Sequence, residues 1–233
     1  MDDYLRLLSM AAKFVTERGG ELPVSVWEMI APRSMKTYAF YASSIRDLTK
    51  KMYDGDISYS AFVSSMENLI IAQLRLAWFE GMEENGLTED DMTTEWAGTL
   101  NEIIMTEQDY VAGFAIDIEK ARRAESPLDP LMSRADTWGN RYPDIVNRAR
   151  VITAAVGEKL EWVYSPEKEH CLECEQLNGI VAYASEWEEL GVRPQSPPNP
   201  KISCSGFRCG CRFEPTTKRR TRNAVERITS ITG

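Results

Sequence analysis

The sequence changes character at "EHCLECEQLNGIVAYA", residues 169–184, which contains the first two of the chain's five cysteines. No cysteine precedes residue 171, and the other three lie in "CSGFRCGC", residues 204–211. A Cys-x2-Cys pair lets two thiolates point at one metal ion, and a second cysteine group about 30 residues later can complete a tetrahedral site. We predict a metal site with the ligands Cys171, Cys174, Cys209 and Cys211, and with Cys204 as the alternative.

Zinc suits this ligand set because thiolates are soft ligands, and four protein ligands make a closed structural site. Three alternatives stay open: disulfides, a thioredoxin-like dithiol, and free thiols. An odd number of cysteines disfavours disulfides, although later exposure to oxidising surroundings would favour them. The pair Cys171 and Cys174 lacks the βαβ setting of a redox dithiol. His170 is the only histidine, and we interpret it as a non-ligand because neighbouring side chains in a strand point to opposite faces.

The residues around the cysteines predict a small β module over 160–214. "LEWVYS", residues 160–165, is typical of a short strand, and "ECEQLNGIVAYA" predicts a two-stranded hairpin closed by an Asn178–Gly179 turn. The proline-rich segment "RPQSPPNPKIS", residues 193–203, predicts an extended loop. The module would be held together by its metal.

Residues 1–159 predict a helical body, because apolar residues recur there at three- and four-residue spacing. Ser58 is a candidate N-cap, and Gly86 a candidate helix end. The fold class is therefore mainly α with a small cysteine-rich β module. The predicted helical segments cover Leu5–Val15, 35–52, 58–86, 90–124 and 131–160, the last interrupted near Pro143.

Composition excludes several classes of function. Hydrophobic residues make up 43% and charged residues 27% of the chain, as in ordinary globular proteins. No apolar run approaches the roughly 20 residues of a membrane-spanning helix, and the acidic N-terminus predicts synthesis in a cytoplasm without a secretory signal. With one histidine, no phosphate-binding Gly-rich loop and no Gly-x-Ser-x-Gly elbow, we expect no enzyme.

The net charge of −9 disfavours wholesale binding of nucleic acid, because an acidic surface repels phosphate. The segment 218–227, "KRRTRNAVER", is an exception with five basic residues and one acidic residue. A solvated basic tail over 215–233 and a contact with DNA or an acidic partner are both open interpretations. The candidate contacts are Lys218, Arg219, Arg220 and Arg222.

The C-terminal pattern resembles the phage head-morphogenesis family, the minor head proteins of tailed phages. In that family a strand with a Trp leads to a Cys-x2-Cys, a Leu-Asn-Gly turn, an apolar strand, a proline-rich stretch and a Cys-x-Cys followed by a basic and an apolar residue. This chain departs from the commoner ending, in which His-Pro precedes Cys-Arg-Cys. The matching positions here are Trp162, Cys171, Cys174, Leu177, Asn178, Gly179, Val181, Pro197, Pro198, Cys209, Cys211, Arg212 and Phe213.

The resemblance implies a non-enzymatic virion structural protein near the portal inside the head, acting in head assembly, genome packaging or delivery. Its partners would be the portal or other head proteins, with packaged DNA meeting the basic tail. Two other classes remain as hypotheses: a zinc-binding, nucleic-acid-binding regulator, and a Cys-x2-Cys thiol-redox protein.

Overall fold

The computed structural model describes residues 38–164, 171–196, 199–206 and 209–233. The predicted helix near Leu5, His170 and the matched residues Pro197 and Pro198 lie outside these ranges. Among the described helices, none is both long and apolar enough to cross a membrane. The body consists of helices α1 (Tyr38–Asp54), α2 (Tyr59–Glu83), α3 (Thr94–Arg123), α4 (Asp129–Gly139) and α5 (Arg141–Ile152), with a 3-10 turn at Glu89–Asp91.

Two of these helices begin where a hydroxyl side chain caps a free backbone N–H group. Ser58 accepts a hydrogen bond from the Ala61 N–H at 3.2 Å, which confirms the predicted N-cap of α2. Thr93 accepts one from the Trp96 N–H at 3.2 Å, so α3 starts later than the predicted residue 90.

The helix predicted over 131–160 with a break near Pro143 is two helices that meet at Asn140, three residues earlier. Its predicted end at residue 160 is wrong, because α5 ends at Ile152 and a strand begins at Lys159. Pro143 lies in the first turn of α5, where its missing N–H would have no partner in the helix. Next to the break, Gly139 lets α4 approach α1 closely: an added Cβ would lie 2.9 Å from the Cβ of Ala42 on α1.

Helix α2 is the centre of the body and packs against α1, α3 and α5. Its buried side chains include Phe62, Met66 and Trp78, none of which is accessible to solvent. The crossing with α5 is close because Gly81 has no side chain: an added Cβ would lie 2.7 Å from the Cβ of Ala149.

The module consists of strand β1 (Lys159–Val163), helix α6 (Leu172–Leu177), strand β2 (Val181–Tyr183), helix α7 (Ala184–Leu190), strand β3 (Arg212–Pro215) and helix α8 (Ala224–Thr232). The strands form an antiparallel sheet in the order β2-β1-β3, with Glu161 opposite Val181 and Trp162 opposite Phe213. The predicted mainly α fold with a small β module is confirmed.

The predicted hairpin around Asn178–Gly179 is wrong, because Leu172–Leu177 is a helix and β2 pairs with β1. The two turn residues nevertheless bend the chain. Gly179 has a φ of 79°, and its N–H donates to the Trp162 carbonyl at 2.8 Å. Asn178 Oδ1 accepts a hydrogen bond from the Tyr164 N–H at 3.2 Å, so the turn is bound to the end of β1.

The module has its own hydrophobic core, built around three aromatic rings. The ring centroids of Trp162 and Trp187 are 5.8 Å apart, and Phe213 lies 5.6 Å and 5.0 Å from them. Ala224 and Ile228 of α8 are buried in this core. The segment 215–233 was predicted as a basic tail; α8 is instead folded against the module.

The body and the module meet along α5. Asn147 Oδ1 accepts a hydrogen bond from the Phe213 N–H at 3.1 Å, and its Nδ2 donates to Gln195 Oε1 at 3.1 Å. The buried guanidinium of Arg150 donates to the Phe213 carbonyl and pairs with Glu84 at the end of α2. Burial lowers the pKa of Arg150 to about 10.

Candidate metal centre

The first two cysteines lie at the start of α6. Cys171 is the N-cap residue, and Cys174 lies one turn further on the same side of the helix. The Glu173 carboxylate accepts hydrogen bonds from the Ser203 N–H at 3.2 Å and from the Ser203 hydroxyl at 2.6 Å. This link holds α6 beside the segment that carries Cys204.

The other three cysteines lie on the chain leading into β3. A tight turn follows Cys204, where Ser205 and Gly206 have φ values of 51° and 78°. Gln195 Nε2 donates to the Cys209 carbonyl at 3.0 Å, and the Cys211 N–H donates to Cys209 Sγ at 3.4 Å.

All five thiols are free, and they converge on one region of the module. Cys171 Sγ lies 3.6 Å from Cys204 Sγ, and Cys174 Sγ lies 3.9 Å from Cys209 Sγ. Cys171, Cys174 and Cys204 form one triad and Cys174, Cys209 and Cys211 a second, each with all sulfurs within 4.8 Å of one another. Cys174 belongs to both triads.

These distances fit a thiolate-bound metal. Four sulfurs at a Zn–S distance of about 2.3 Å around a tetrahedral zinc ion are separated by about 3.8 Å. The observed distances of 3.6 Å and 3.9 Å lie on either side of that value. The predicted cysteines are therefore brought together, and the cluster could hold a metal ion.

The electrostatics of the cluster follow from hydrogen bonds between thiols. Interaction with Cys174, and then with Cys209, lowers the pKa of Cys211 to about 4. Interaction with Cys174 also lowers the pKa of Cys209, whereas the pKa of Cys174 is raised because it donates within this network, first to Cys204. Burial raises the pKa of Cys171. Because metal binding must displace thiol protons, affinity for metal should fall in acid.

Sequence reasoning missed three residues that position the cluster: Glu173, Ser203 and Gln195. Glu173 and Ser203 are 30 positions apart, and Gln195 reaches Cys209 from a loop. No spacing rule marks such pairs, because their partners lie in irregular segments. The only sequence feature that could have indicated these contacts was a polar side chain near each cysteine group.

Two of the four predicted contact residues in the basic segment are paired with carboxylates. Lys218 Nζ lies 2.7 Å from Glu161 Oε2, and Arg220 Nε donates to Glu186 Oε2 at 2.9 Å. Arg219 and Arg222 are exposed, and no ion pair joins either one to another residue in the described part of the chain. The structure thus separates the four predicted contact residues into two that pair with carboxylates, Lys218 and Arg220, and two that do not; Lys218 itself is exposed.

No protein-family model, curated protein sequence or solved structure matches this chain. The class that the fold and the site define is a helical protein carrying a cysteine cluster suited to metal. The resemblance to the phage head-morphogenesis family depends on the C-terminal sequence pattern alone.

Proposed function

We propose that this chain is a non-enzymatic structural protein of a tailed phage, a minor head protein near the portal that acts in head assembly, genome packaging or delivery. It would be made in the host cytoplasm and retained in the virion. The observation that carries the proposal is the cysteine cluster, which lies at the positions of the family's motif and within a module packed on a helical body.

In this proposal the cluster holds one structural zinc through Cys171, Cys174, Cys204 and Cys209. Cys204 replaces Cys211 in the predicted set because its sulfur lies 3.6 Å from Cys171. Cys209 is kept because its sulfur lies 3.9 Å from Cys174 and its thiol also interacts with Cys204, whereas Cys211 groups with Cys174 and Cys209 only. The bound metal would supply a crosslink between α6 and the chain before β3. A structural zinc contributes on the order of 10 kcal/mol of apparent binding energy, which is large for so small a core.

Packing on α5 gives the module a fixed position. The hydrogen bonds of Asn147 and Arg150 to the Phe213 backbone connect the metal-bearing segment to the body. A rigid module of this kind suits a docking surface for the portal or another head protein. Catalysis plays no part in the role. A thiol-redox alternative is disfavoured because the pKa of the partly exposed Cys171 is raised, while Cys209 and Cys211, whose pKa values are lowered, are buried.

A second contact in this proposal is with packaged DNA. Arg219 and Arg222 are exposed on a segment that the ion pairs of Lys218 and Arg220 hold in place, so two guanidinium groups are available to phosphates. We expect Arg219→Gln/Arg222→Gln to weaken DNA binding and to reduce its salt dependence. Filter binding over a salt series measures this, with Lys50→Gln on the distant α1 as the control. Tight, sequence-specific binding of free DNA would instead favour the regulator hypothesis.

The virion role is tested on particles of a phage that encodes this chain. Quantitative mass spectrometry of density-purified, DNA-filled heads should find the protein at a few copies per portal ring, after washing that removes a non-structural phage protein. A nonsense mutation in its gene should yield particles that lack it and fail in packaging or delivery. Absence from washed heads would overturn the proposal.

A further inference from the structure

The cysteine cluster contains two thiol pairs, and each pair joins the same two segments, α6 and the chain before β3. Cys171 and Cys204 form one pair at 3.6 Å, and Cys174 and Cys209 form the other at 3.9 Å. Each pair has one member on α6 and one on the chain before β3. A disulfide in either pair would therefore crosslink the segments that a metal ion would crosslink.

The geometry points to an oxidation site with a defined pairing: a mild peroxide converts the cluster to two disulfides, Cys171–Cys204 and Cys174–Cys209, and leaves Cys211 as a thiol. Each pair must close from its present separation to the S–S bond length of about 2.05 Å. That movement is small because the two sulfurs of each pair already face each other, one from α6 and one from the chain before β3.

The chemistry of each bridge is balanced. One thiol loses its proton, the thiolate attacks a peroxide oxygen and the O–O bond breaks; hydroxide leaves and takes up that proton, so the products are a sulfenic acid and water. The partner thiol then attacks that sulfur, an S–S bond forms, the S–O bond breaks, and a second water leaves. Two electrons pass from the two sulfurs to one peroxide, so two peroxides are consumed for two bridges.

Burial sets the order of the two steps. Cys171 and Cys204 are partly exposed, whereas Cys174, Cys209 and Cys211 are buried. Peroxide thus reaches the Cys171–Cys204 pair first, and the second bridge follows. Cys211 stays a thiol because the sulfur in direct contact with Cys174 is that of Cys209, at 3.9 Å, and because Cys211 also interacts with Trp162 of the aromatic core.

The distances between the thiols determine this pairing whether or not the protein is part of a virion. A protein that is assembled in a reducing cytoplasm and later released would keep its module crosslinked in both environments. If a metal is bound, formation of the first bridge removes two of its thiolates and should release it.

The test uses the full chain, with metal content measured by elemental analysis before treatment. After graded hydrogen peroxide, free thiols are alkylated and the protein is digested without reductant. Trypsin separates Cys204, in peptide 202–208, from Cys209 and Cys211, in peptide 209–212, and cleavage after Glu173 separates Cys171 from Cys174.

The expected map joins Cys171 to Cys204 at low peroxide and then Cys174 to Cys209, with alkylated Cys211 and a mass loss of four hydrogen atoms. Cys211→Ser should give the same map, and Cys204→Ser should keep the second bridge only. A bridge within a segment, Cys171–Cys174 or Cys209–Cys211, would overturn the inference, as would sulfinic acid without bridges. The disulfide map is independent of the metal content and of the virion experiment. If the protein is absent from phage heads, the map still tests the pairing of the thiols.

Discussion

At the scale of single residues, the cluster is asymmetric. Cys174 belongs to both thiol triads, whereas Cys204 and Cys211 each belong to one. Cys204 is partly exposed beside Cys171, and Cys211 is fully buried next to the aromatic core. Two substitutions of the same kind should therefore have different consequences for the metal.

Replacement of Cys204 by Ser should abolish stoichiometric zinc, because it removes one of the four proposed ligands. Cys211→Ser should retain about one zinc per chain, since a hydroxyl of similar size replaces a thiol outside the ligand set. Elemental analysis of both variants, purified without added metal, makes the comparison. Zinc lost from Cys211→Ser and kept in Cys204→Ser would show that the ligand set has been chosen wrongly.

At the scale of secondary structure, sequence patterns predicted the long helices well and the short ones poorly. Ser58 as an N-cap and the apolar spacing of α2 were readable, because capping and helical periodicity are local. Helix α6 was misread as a strand. Its buried residues Cys174 and Leu177 are three apart, which is a helical spacing, and Gln176 breaks the alternation that a strand requires.

The pairing of thiols could not be predicted either, because it depends on where Glu173 and the turn at Ser205 place two distant segments. The sequence indicated which cysteines converge but not which sulfurs face one another. The close approach between α4 and α1 at Gly139, next to the break at Asn140, likewise could not be predicted. Such tertiary contacts leave no periodic signal.

The crossing of α2 and α5 is expected to be intolerant of a side chain at residue 81. Gly81→Ala should lower the free energy of unfolding by about 1–3 kcal/mol, because the added methyl group lies 2.7 Å from the Cβ of Ala149. Gly98→Ala is the matched control on α3, where an added Cβ meets nothing within 4 Å and helix propensity should raise stability by roughly 0.5–1 kcal/mol. Urea denaturation measures both, and equal effects would contradict the packing argument.

The attachment of the segment before α8 should depend on pH through Glu186. Its pKa is lowered, first by the hydrogen bond from Arg220, so this pair stabilises the folded chain above the unfolded-state pKa of Glu186. That stabilisation is lost as the pH falls through the lowered, folded-state pKa. Arg220→Gln should cost about 0.5–1 kcal/mol at neutral pH, and the difference from wild type should shrink in acid.

Thermal denaturation between neutral and acidic pH tests this dependence. Arg219→Gln serves as the control, because Arg219 is exposed and has no ion pair among the described residues. If Arg220→Gln lowers stability by the same amount at every pH, the loss does not come from the ion pair with Glu186.

At the scale of the whole molecule, two hydrophobic cores share one chain. The first fills the helical body, and the second fills the module and includes Val151 from the last turn of α5. The two are joined by polar contacts to the Phe213 backbone. They should therefore respond differently to removal of metal.

A strong chelator should open the module and leave the body folded. Hydrogen exchange should become fast in β1 and β3, because the crosslink between α6 and β3 is lost, while α2 stays protected by its own core. Exchange measured by mass spectrometry with and without chelator reports both regions, and helical circular dichroism should change little. Loss of protection in α2 would contradict the independence of the body.

The strand order also has a consequence for how the protein is made. β1 is the middle strand, yet both of its neighbours, β2 and β3, follow it in the chain. As the chain leaves the ribosome, α1 to α5 can fold while β1 waits for partners that have not been synthesised. The core of the module needs Phe213 and Ile228, so translation stopped between β1 and Phe213 should yield a folded body whose cysteine cluster has not formed.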